Sequence, residues 1–262
     1  PRHRRPRRRH DEARQEDPVF WWQGDVGQGV RVAFTDRGAG NLALHTGDDA
    51  DAVRSRRAAL ERSIGVPGGS LVFLEQVHGT DVADADRDDR PAVPTADAAV
   101  TATGVPLAVM VADCVPVLLV GEGPRGPVTG VAHAGRRGLL DGVLERTVEQ
   151  LRARGARGLS AWLGPSICGS CYEVPAAMRE EAVARVPAVA ATTSWGTPAL
   201  DLRGGARERL SALGVGVVEP TADTGSSCTL ENEQLSSHRR DPGSGRIVGL
   251  VWGTGPRGED AA

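Results

Sequence analysis

Residues 107–120 read Leu-Ala-Val-Met-Val-Ala-Asp-Cys-Val-Pro-Val-Leu-Leu-Val. The stretch predicts two buried β-strands, Leu107–Ala112 and Val117–Val120, because short runs of apolar, β-branched residues are typical of strands with both faces covered. Asp113 and Cys114 lie between these runs, where the first strand ends. Loops at strand ends are where a rigid scaffold presents reactive groups. The stretch therefore predicts both a strand-rich core and a candidate site at its edge.

The same criteria predict further elements on either side of this stretch. The predicted strands are Leu71–Gln76, Ala98–Thr101, Val128–Ala132, Ala161–Leu163, Val215–Val218 and Arg246–Trp252, and the predicted helices span residues 51–64, 140–151, 175–186 and 203–213. Strands and helices alternate irregularly, and several strands follow one another. This order favours a single α+β domain of mixed β-sheets flanked by helices over a regular doubly wound sheet.

The domain is predicted to span residues 18–254. Residues 1–17 are rich in Arg and have no apolar stretch behind them. They are therefore predicted to be a disordered tail rather than a secretory signal. Residues 255–262 are predicted to be a C-terminal tail. The acidic stretch Asp84–Asp89, followed by two prolines, is predicted to be a flexible loop inside the domain rather than a boundary.

Composition excludes several classes of function. A net charge of −3 gives no general attraction to nucleic acid or to anionic membranes, and no apolar run reaches the length of about 18 residues that spans a membrane. All 31 basic residues are Arg, so mechanisms that need a lysine are excluded. Four cysteines are too few for a disulfide scaffold, which predicts a cytoplasmic, reduced protein. A monomer is the default expectation.

Two histidines occupy strand ends in the same way as Cys114. His78 follows the first predicted strand, and His133 ends the strand before a helix. Two imidazoles and one thiolate suit zinc, and three protein ligands leave a fourth position for water or substrate, as in catalytic sites. The spacing leaves two other interpretations open. The three can be unrelated core and loop residues, or Cys114 can be a nucleophile with His133 or His78 as its base.

Cys168-Gly-Ser-Cys171 forms a C-x-x-C motif, which occurs in redox and metal sites. The chain has no second C-x-x-C, and the surrounding pattern is not a clean strand–motif–helix unit. Two packed or unpaired thiols are therefore the favoured interpretation, with Cys228 as a structural residue. The H-x-E and P-C-x-x-C signature of zinc deaminases does not occur, and neither does a P-loop.

Several segments, in order along the chain, carry a resemblance to a known family. They are Asn41-Leu-Ala-Leu-His-Thr-Gly-Asp48, Gln76-Val-His-Gly79, Thr95-Ala-Asp-Ala98, Ala112-Asp-Cys-Val-Pro-Val-Leu-Leu119, Ala132-His-Ala-Gly135 with Arg137-Gly138, Leu163-Gly-Pro-Ser-Ile167, Cys171-Tyr-Glu-Val174, Cys228-Thr229, Arg239-Arg-Asp241 and Gly245-Arg246. The sequence resembles the bacterial laccase-domain, or multicopper polyphenol oxidase, family. Its members are regarded as purine nucleoside phosphorylases with adenosine deaminase activity, and some are described as peptidoglycan-editing factors.

The resemblance implies a catalytic zinc site formed by His78, Cys114 and His133. It implies inosine or adenosine bound beside the metal, phosphorolysis to a free base and ribose 1-phosphate, deamination of adenosine, and phosphorolysis of methylthioadenosine. The implied fold is of the cytotoxic-necrotizing-factor-like cysteine hydrolase type. The predicted partners are therefore a purine nucleoside and phosphate.

Other matching positions have predicted roles in binding. Asn41 and Gln76 can orient base or ribose through their amides, and the planar guanidinium of Arg137 can bind phosphate. Asp113 is predicted to orient a metal ligand from outside the ligand set. Each also has a plain structural alternative, such as a turn, a strand-end hydrogen bond, a surface charge or a helix cap. Arg239 and Arg240 are predicted to fix a loop.

The chain departs from the family pattern at two places. Arg136 stands where the family has Trp, and Ser236-Ser237-His238 replaces an aromatic Phe-Ser-Tyr pattern. Both changes remove aromatic surface that could stack on a base.

True multicopper chemistry is disfavoured, because the chain has six His and no His-x-His pair. Copper can still compete for the three ligands. A Cys–His hydrolase acting on a peptidoglycan precursor and a metal-stabilised, non-enzymatic binding module remain as alternatives.

Overall fold

The computed structural model describes residues 20–222 and 225–254, and the elements below are those of the described residues. The strands are β1 (Phe20–Asp25), β2 (Val30–Thr35), β3 (Val82–Asp84), β4 (Ala98–Thr101), β5 (Leu107–Val111), β6 (Val115–Gly123), β7 (Gly126–Ala134), β8 (Arg157–Leu163), β9 (Ala190–Thr192), β10 (Pro198–Leu200), β11 (Gly216–Val218) and β12 (Ile247–Gly253). The helices are α1 (Ala50–Ile64), α2 (Arg136–Asp141), α3 (Val143–Ala153), α4 (Ala176–Arg185) and α5 (Leu202–Ala212), with short 3₁₀ helices at Arg37–Ala39 and Pro187–Val189.

Two larger sheets and one small hairpin contain these strands. A four-stranded sheet has the order β1-β2-β12-β5, with every neighbouring pair antiparallel. A six-stranded sheet has the order β11-β8-β6-β7-β4-β3. Its central pairs are antiparallel, whereas the edge strands β11 and β3 run parallel to their neighbours. The six-stranded sheet is therefore mixed, as the order of predicted elements indicated, whereas the four-stranded sheet is purely antiparallel.

The two sheets pack face to face, and helices cover their outer faces. One core fills the space between the sheets, a second lies between the six-stranded sheet and helices α2 to α5, and a third lies between the four-stranded sheet and α1. On β5, Leu107, Val109 and Val111 face the core between the sheets, whereas Ala108 and Met110 face the α1 side. Burial on both faces explains why these strands read as continuous apolar runs. The fold is a single α+β domain, and its finer assignment to the cysteine hydrolase type stays a prediction.

One predicted strand is wrong. Residues 71–76 form only two isolated bridges, Val72 with Leu107 and Glu75 with Thr95. The first half pairs with the start of β5 in the four-stranded sheet, and the second half pairs with the residues that precede β4, so neither half continues a ladder. Alternate side chains of the segment lie in the core between the sheets and in the core on the α1 side, which explains why the segment is apolar. Its path delivers the following residues, including His78, to the edge where the sheets meet.

Other regions also differ from the sequence-based expectation. The pairs β1–β2 and β9–β10 and the strand β3 were not predicted from the sequence. The helix predicted over 140–151 is broken at Gly142, whose φ of 98° ends α2 before α3 begins. The acidic loop is anchored, because the Asp86 carboxylate accepts hydrogen bonds from the hydroxyls of Thr101 and Thr103.

The predicted tails, 1–17 and 255–262, lie outside the described residues. Among the helices that the structure describes, none has the length and apolar character to cross a membrane.

Candidate metal centre and its cavity

His78, Cys114 and His133 converge where the two sheets meet. One ligand atom from each lies within 4.8 Å of the others. Cys114 directly precedes β6, and His133 lies on β7 opposite Pro116, so the β6–β7 pairing brings the thiol and the imidazole together. His78 arrives from the crossing segment, with its Nε2 3.8 Å from the Cys114 Sγ. The predicted set of three ligands is thus assembled by strand pairing and by one loop.

Asp97 holds both histidines in place. Its buried carboxylate accepts hydrogen bonds from the backbone N–H groups of Val77, His78 and Gly79 at 3.1, 2.9 and 2.6 Å. These bonds fix the left-handed backbone of His78, whose φ is 59°. The same carboxylate lies 2.8 Å from Nδ1 of His133. An ionised carboxylate only accepts, so Nδ1 carries the proton and Nε2 is left free to bind a metal.

The charges of the group favour the ionised form of the thiol. Burial alone would raise the pKa of Cys114, but His133 and His78 outweigh it and lower that pKa to about 6. Burial alone would lower the pKa of His133, but Cys114 and Asp97 raise it to about 9. For Asp97, hydrogen bonds from His133 and the backbone outweigh burial and hold its pKa below the ordinary value. Without a metal, a thiolate and an imidazolium therefore face each other at neutral pH.

The residues present fit a zinc ion. Two imidazoles and one thiolate form a ligand set that zinc accepts, and a carboxylate bonded to a ligating histidine is the usual support of such a site. Space is reserved beside them at Gly135, where an added Cβ would lie 2.7 Å from Cδ2 of His78 and 3.2 Å from Sγ of Cys114. No residue larger than glycine fits there without displacing a ligand.

A cavity of about 330 Å³ opens beside these three residues. This volume is within the range of small-molecule sites, about 300–1,000 Å³. The other lining residues are His45, Gln76, Met110, Val111, Ala112, Asp113, Ile167, Tyr172, Leu202, His238, Arg239 and Arg246. The lining combines apolar side chains with two guanidinium groups. The cavity therefore suits a ligand with a flat apolar part and an anionic part.

Tyr172 and the arginines around it form one wall of the cavity. Burial raises the pKa of Tyr172, so its hydroxyl stays protonated. The guanidinium of Arg239 lies 5.3 Å from the centre of the Tyr172 ring. Arg136 is close enough to lower the pKa of Tyr172 as well, although by less than burial raises it. Where the family has Trp, this chain thus places a positive charge near the cavity wall.

Of the three binding residues predicted from the sequence, one lines the cavity and two do not. Gln76 lines the cavity, but its amide is paired with the backbone N–H and C=O of Met110 at 2.8 and 2.7 Å. Asn41 does not line the cavity; its side chain bonds within its own loop and accepts from the N–H of Arg246 at 3.1 Å. Arg137 is exposed and outside the lining. Direct substrate contact by these three residues stays a prediction.

Asp113 lines the cavity but binds loops rather than a histidine. Its carboxylate accepts from the Thr229 hydroxyl at 2.6 Å and from the Arg239 N–H at 2.7 Å. Among the described residues, the carboxylate bonded to a histidine side chain of the predicted ligand set is that of Asp97. Asp113 instead ties the loops containing Thr229 and Arg239 to the residue before Cys114.

The sequence predicted no role for Asp97, Tyr172 or Arg246. A signal for Asp97 was available, since a lone carboxylate in the apolar run Ala96–Val100 must find partners if it is buried. Arg246 and Tyr172 lie in matching segments, but nothing in their spacing predicts that they line a cavity.

The C-x-x-C pair flanks the cavity without lining it. Cys168 directly follows the lining residue Ile167, and Cys171 directly precedes the lining residue Tyr172. Both thiols are free, as are those of Cys114 and Cys228. Burial raises the pKa of both Cys168 and Cys171. Catalytic redox cysteines have a lowered pKa instead, so the pair lacks that property.

A family model described as multi-copper polyphenol oxidoreductase laccase matches residues 28–254. The chain belongs to this family. Among its relatives, a purine nucleoside phosphorylase of Streptomyces coelicolor is 44% identical over 246 residues, covering 88% of this chain and 98% of the relative. One from Mycobacterium tuberculosis is 42% identical over 241 residues, covering 87% and 94%.

Solved structures support the membership of this laccase-domain chain. A Neisseria meningitidis protein superposes with a TM-score of 0.75 at 34% identity, covering 89% of this chain and 99% of its own. The protein YlmD from Geobacillus stearothermophilus gives 0.74 at 28% identity, covering 91% and 100%. The arrangement of sheets and helices is therefore shared along nearly the whole length of both proteins.

Proposed function

We propose that this chain is a zinc-dependent purine nucleoside phosphorylase that also deaminates adenosine and phosphorolyses methylthioadenosine. The observation that carries the proposal is the convergence of His78, Cys114 and His133 at a cavity that also contains two arginines. Relatives 42–44% identical over most of this chain are named purine nucleoside phosphorylases, which supports the assignment.

Nε2 of His78, Sγ of Cys114 and Nε2 of His133 would hold the zinc. Zinc bound there would supply Lewis acidity to the substrate. Asp97 keeps His133 in the tautomer that leaves Nε2 free, and it fixes the backbone around His78. The chain thus provides an oriented ligand set before substrate arrives.

Different residues of the cavity wall would bind the purine and the phosphate. Ile167, Tyr172 and Leu202 present apolar surface against which a purine ring can pack. Arg239 and Arg246 present guanidinium groups to the same space, and guanidinium recognises phosphate through paired hydrogen bonds. The proposed phosphate site is therefore formed by these two residues.

In phosphorolysis, a phosphate oxygen forms a bond to C1′ of the ribose while the bond from C1′ to N9 of the purine breaks. The electron pair of that bond goes to the base, which takes up a proton and leaves as the free purine. The arginines would hold the attacking phosphate beside C1′. In deamination, the oxygen of water replaces the amino group at C6 of adenine, and ammonia leaves.

A Cys–His hydrolase is the second candidate, and the lowered pKa of Cys114 beside a protonated His133 favours it. Such a pair is an activated nucleophile even without a metal. The substrate would be an amide, for example in a peptidoglycan precursor. A third possibility, a non-enzymatic module in which the metal only stabilises the fold, predicts no turnover of either substrate class.

The test is metal content by elemental analysis, together with adenosine and inosine assays in phosphate, before and after chelation. We expect zinc in the purified protein and release of adenine, hypoxanthine or inosine that stops on chelation and returns with zinc. Arg54→Ala, an exposed change on α1 outside the cavity, is the control that should retain activity. Zinc-free protein without nucleoside turnover would reject the proposal, and amide hydrolysis that survives chelation would favour the second candidate.

A further inference from the structure

A second group of metal-ligating side chains lies outside the cavity. It consists of the thiols of Cys168, Cys171 and Cys228 and the carboxylate of Glu231, and here it is called the three-cysteine cluster. The four ligand atoms all lie within 4.8 Å of one another, and Sγ of Cys171 is 3.3 Å from the Glu231 carboxylate. In tetrahedral zinc sites with Zn–S bonds of about 2.3 Å, ligand atoms are separated by about 3.8 Å. The cluster has dimensions of this order.

We infer that the three-cysteine cluster binds one zinc ion with a structural role. Four protein ligands leave no position open, which is the arrangement of structural sites, and thiolates are the ligands that zinc prefers in them. Cys171 and Cys228 are buried at 6% and 2% exposure, whereas Glu231 lies at the surface. The ion would therefore sit at the edge of the domain, reachable from solvent past one carboxylate.

The backbone brings the thiols together from two distant segments. A turn in which the N–H of Cys171 donates to the C=O of Cys168 places the C-x-x-C thiols close together. A bridge between Ser166 and Cys228 joins this turn to the second segment, with N–H···O bonds of 3.1 and 3.2 Å on either side. The register of that bridge puts the third thiol beside the first two.

Hydrogen bonds outside the ligand set support the cluster. The backbone N–H of Cys168 donates to Sγ of Cys228 at 3.4 Å, which favours the negatively charged sulfur of a metal ligand. The Ser226 hydroxyl donates to the Glu231 carboxylate at 3.1 Å and accepts from the N–H of Cys228 at 3.0 Å. Such outer contacts orient the ligands of metal sites.

The ion would fix the wall of the cavity. Ile167, next to Cys168, donates its N–H to the C=O of Asp113 at 3.0 Å, and Thr229, next to Cys228, donates its hydroxyl to the Asp113 carboxylate. Asp113 in turn precedes Cys114 in the chain. By holding the two segments together, the ion would hold the loop that presents Cys114. The inference stands on its own residues, and only the total zinc count in its test includes the ion proposed at His78, Cys114 and His133.

The test is the number of zinc ions per chain in the purified full-length protein. We expect two in the wild type, one in a variant carrying His78→Ala and Cys114→Ala, and one in Cys171→Ser. Ser170→Ala, a change in the same turn without a ligand atom, is the control and should retain two. Substituting cobalt in the His78→Ala, Cys114→Ala variant should give a thiolate-to-cobalt absorption band that is lost on adding Cys171→Ser.

Two further measurements cover other outcomes. If Cys171→Ser does not fold, Glu231→Gln at the surface should weaken zinc retention against a chelator and lower the melting temperature of the zinc-loaded protein, because loss of metal affinity is loss of folding energy. The wild type should titrate four thiols when unfolded without reductant. Two missing thiols, or a Cys171→Ser variant that keeps both ions, would overturn the inference, whether or not nucleosides turn over.

Discussion

The centre formed by His78, Cys114 and His133 and the three-cysteine cluster place similar chemistry in two different settings. The first set comes from segments spread over 55 positions of the chain, from His78 to His133, is oriented by a buried carboxylate and faces a cavity. The second contains a local turn, includes four ligand side chains and does not line that cavity. An open set beside a cavity suits catalysis, whereas a closed set at the edge suits folding. The contrast shows that the surroundings of a ligand set indicate a catalytic or a structural role better than the residue types of its ligands do.

Removing one ligand from each group should separate the two roles most strongly. In Cys114→Ala we expect kcat/KM for adenosine phosphorolysis to fall about 1,000-fold, since a bound metal contributes several kcal/mol to the transition state. The melting temperature of this variant should stay close to that of the wild type. Cys171→Ser should show the opposite pattern, with a lowered melting temperature. If Cys114→Ala and Cys171→Ser changed kcat/KM and the melting temperature to the same extent, the division into a catalytic and a structural site would be contradicted.

Two carboxylates near the cavity give a finer comparison. Asp97 bonds to His133 of the proposed metal centre, whereas Asp113 bonds to the loops of Thr229 and Arg239. In Asp97→Asn we expect zinc affinity, measured by competition with a chelator, to fall about 10–100-fold, as for other carboxylates that support a ligating histidine. In Asp113→Asn we expect zinc affinity to change less and the free energy of unfolding to fall. The same loss of affinity in both variants would assign the orienting role to the whole loop.

The pH dependence of alkylation distinguishes the two kinds of thiol in metal-free protein. The lowered pKa of Cys114, about 6, means that its thiolate forms as pH rises through 6 and disappears as pH falls through it. Between pH 5 and 7 the thiolate fraction should therefore rise about tenfold, and the alkylation rate with it. Burial raises the pKa of Cys171, so it should not react in this range. Mass spectrometry of the labelled peptides reads both sites, and first labelling of Cys171 would contradict the assignment.

The sequence predicted the three ligands because each follows or ends an apolar run, a local signal. It did not predict Asp97 as their support, since the partners of this carboxylate lie 18–20 and 36 positions away. The three-cysteine cluster was missed for the same reason, because Cys228 reaches Cys168 across 60 positions through a single bridge. Local pattern therefore predicted which residues could react, and tertiary contacts determined what surrounds them.

The fold was predictable to a similar extent. Apolar runs predicted β5 and much of β6 and β7, because strands buried on both faces have no competing polar pattern. The same criterion failed at residues 71–76, an apolar run that pairs only at two isolated positions. Burial and strand pairing are separate properties, and an apolar run in the sequence predicts mainly burial.

The smallest expected effect concerns the arginines beside the metal centre, and it tests whether the cavity binds phosphate. Arg246 lines the cavity, whereas Arg137 is exposed outside it. In Arg246→Ala we expect the KM for phosphate to rise about fivefold, equivalent to about 1 kcal/mol for a partly exposed charge contact, while zinc content stays unchanged. Arg137→Ala should leave this KM unaltered. A larger effect of Arg137→Ala would move the phosphate site to the start of α2, as the sequence alone predicts.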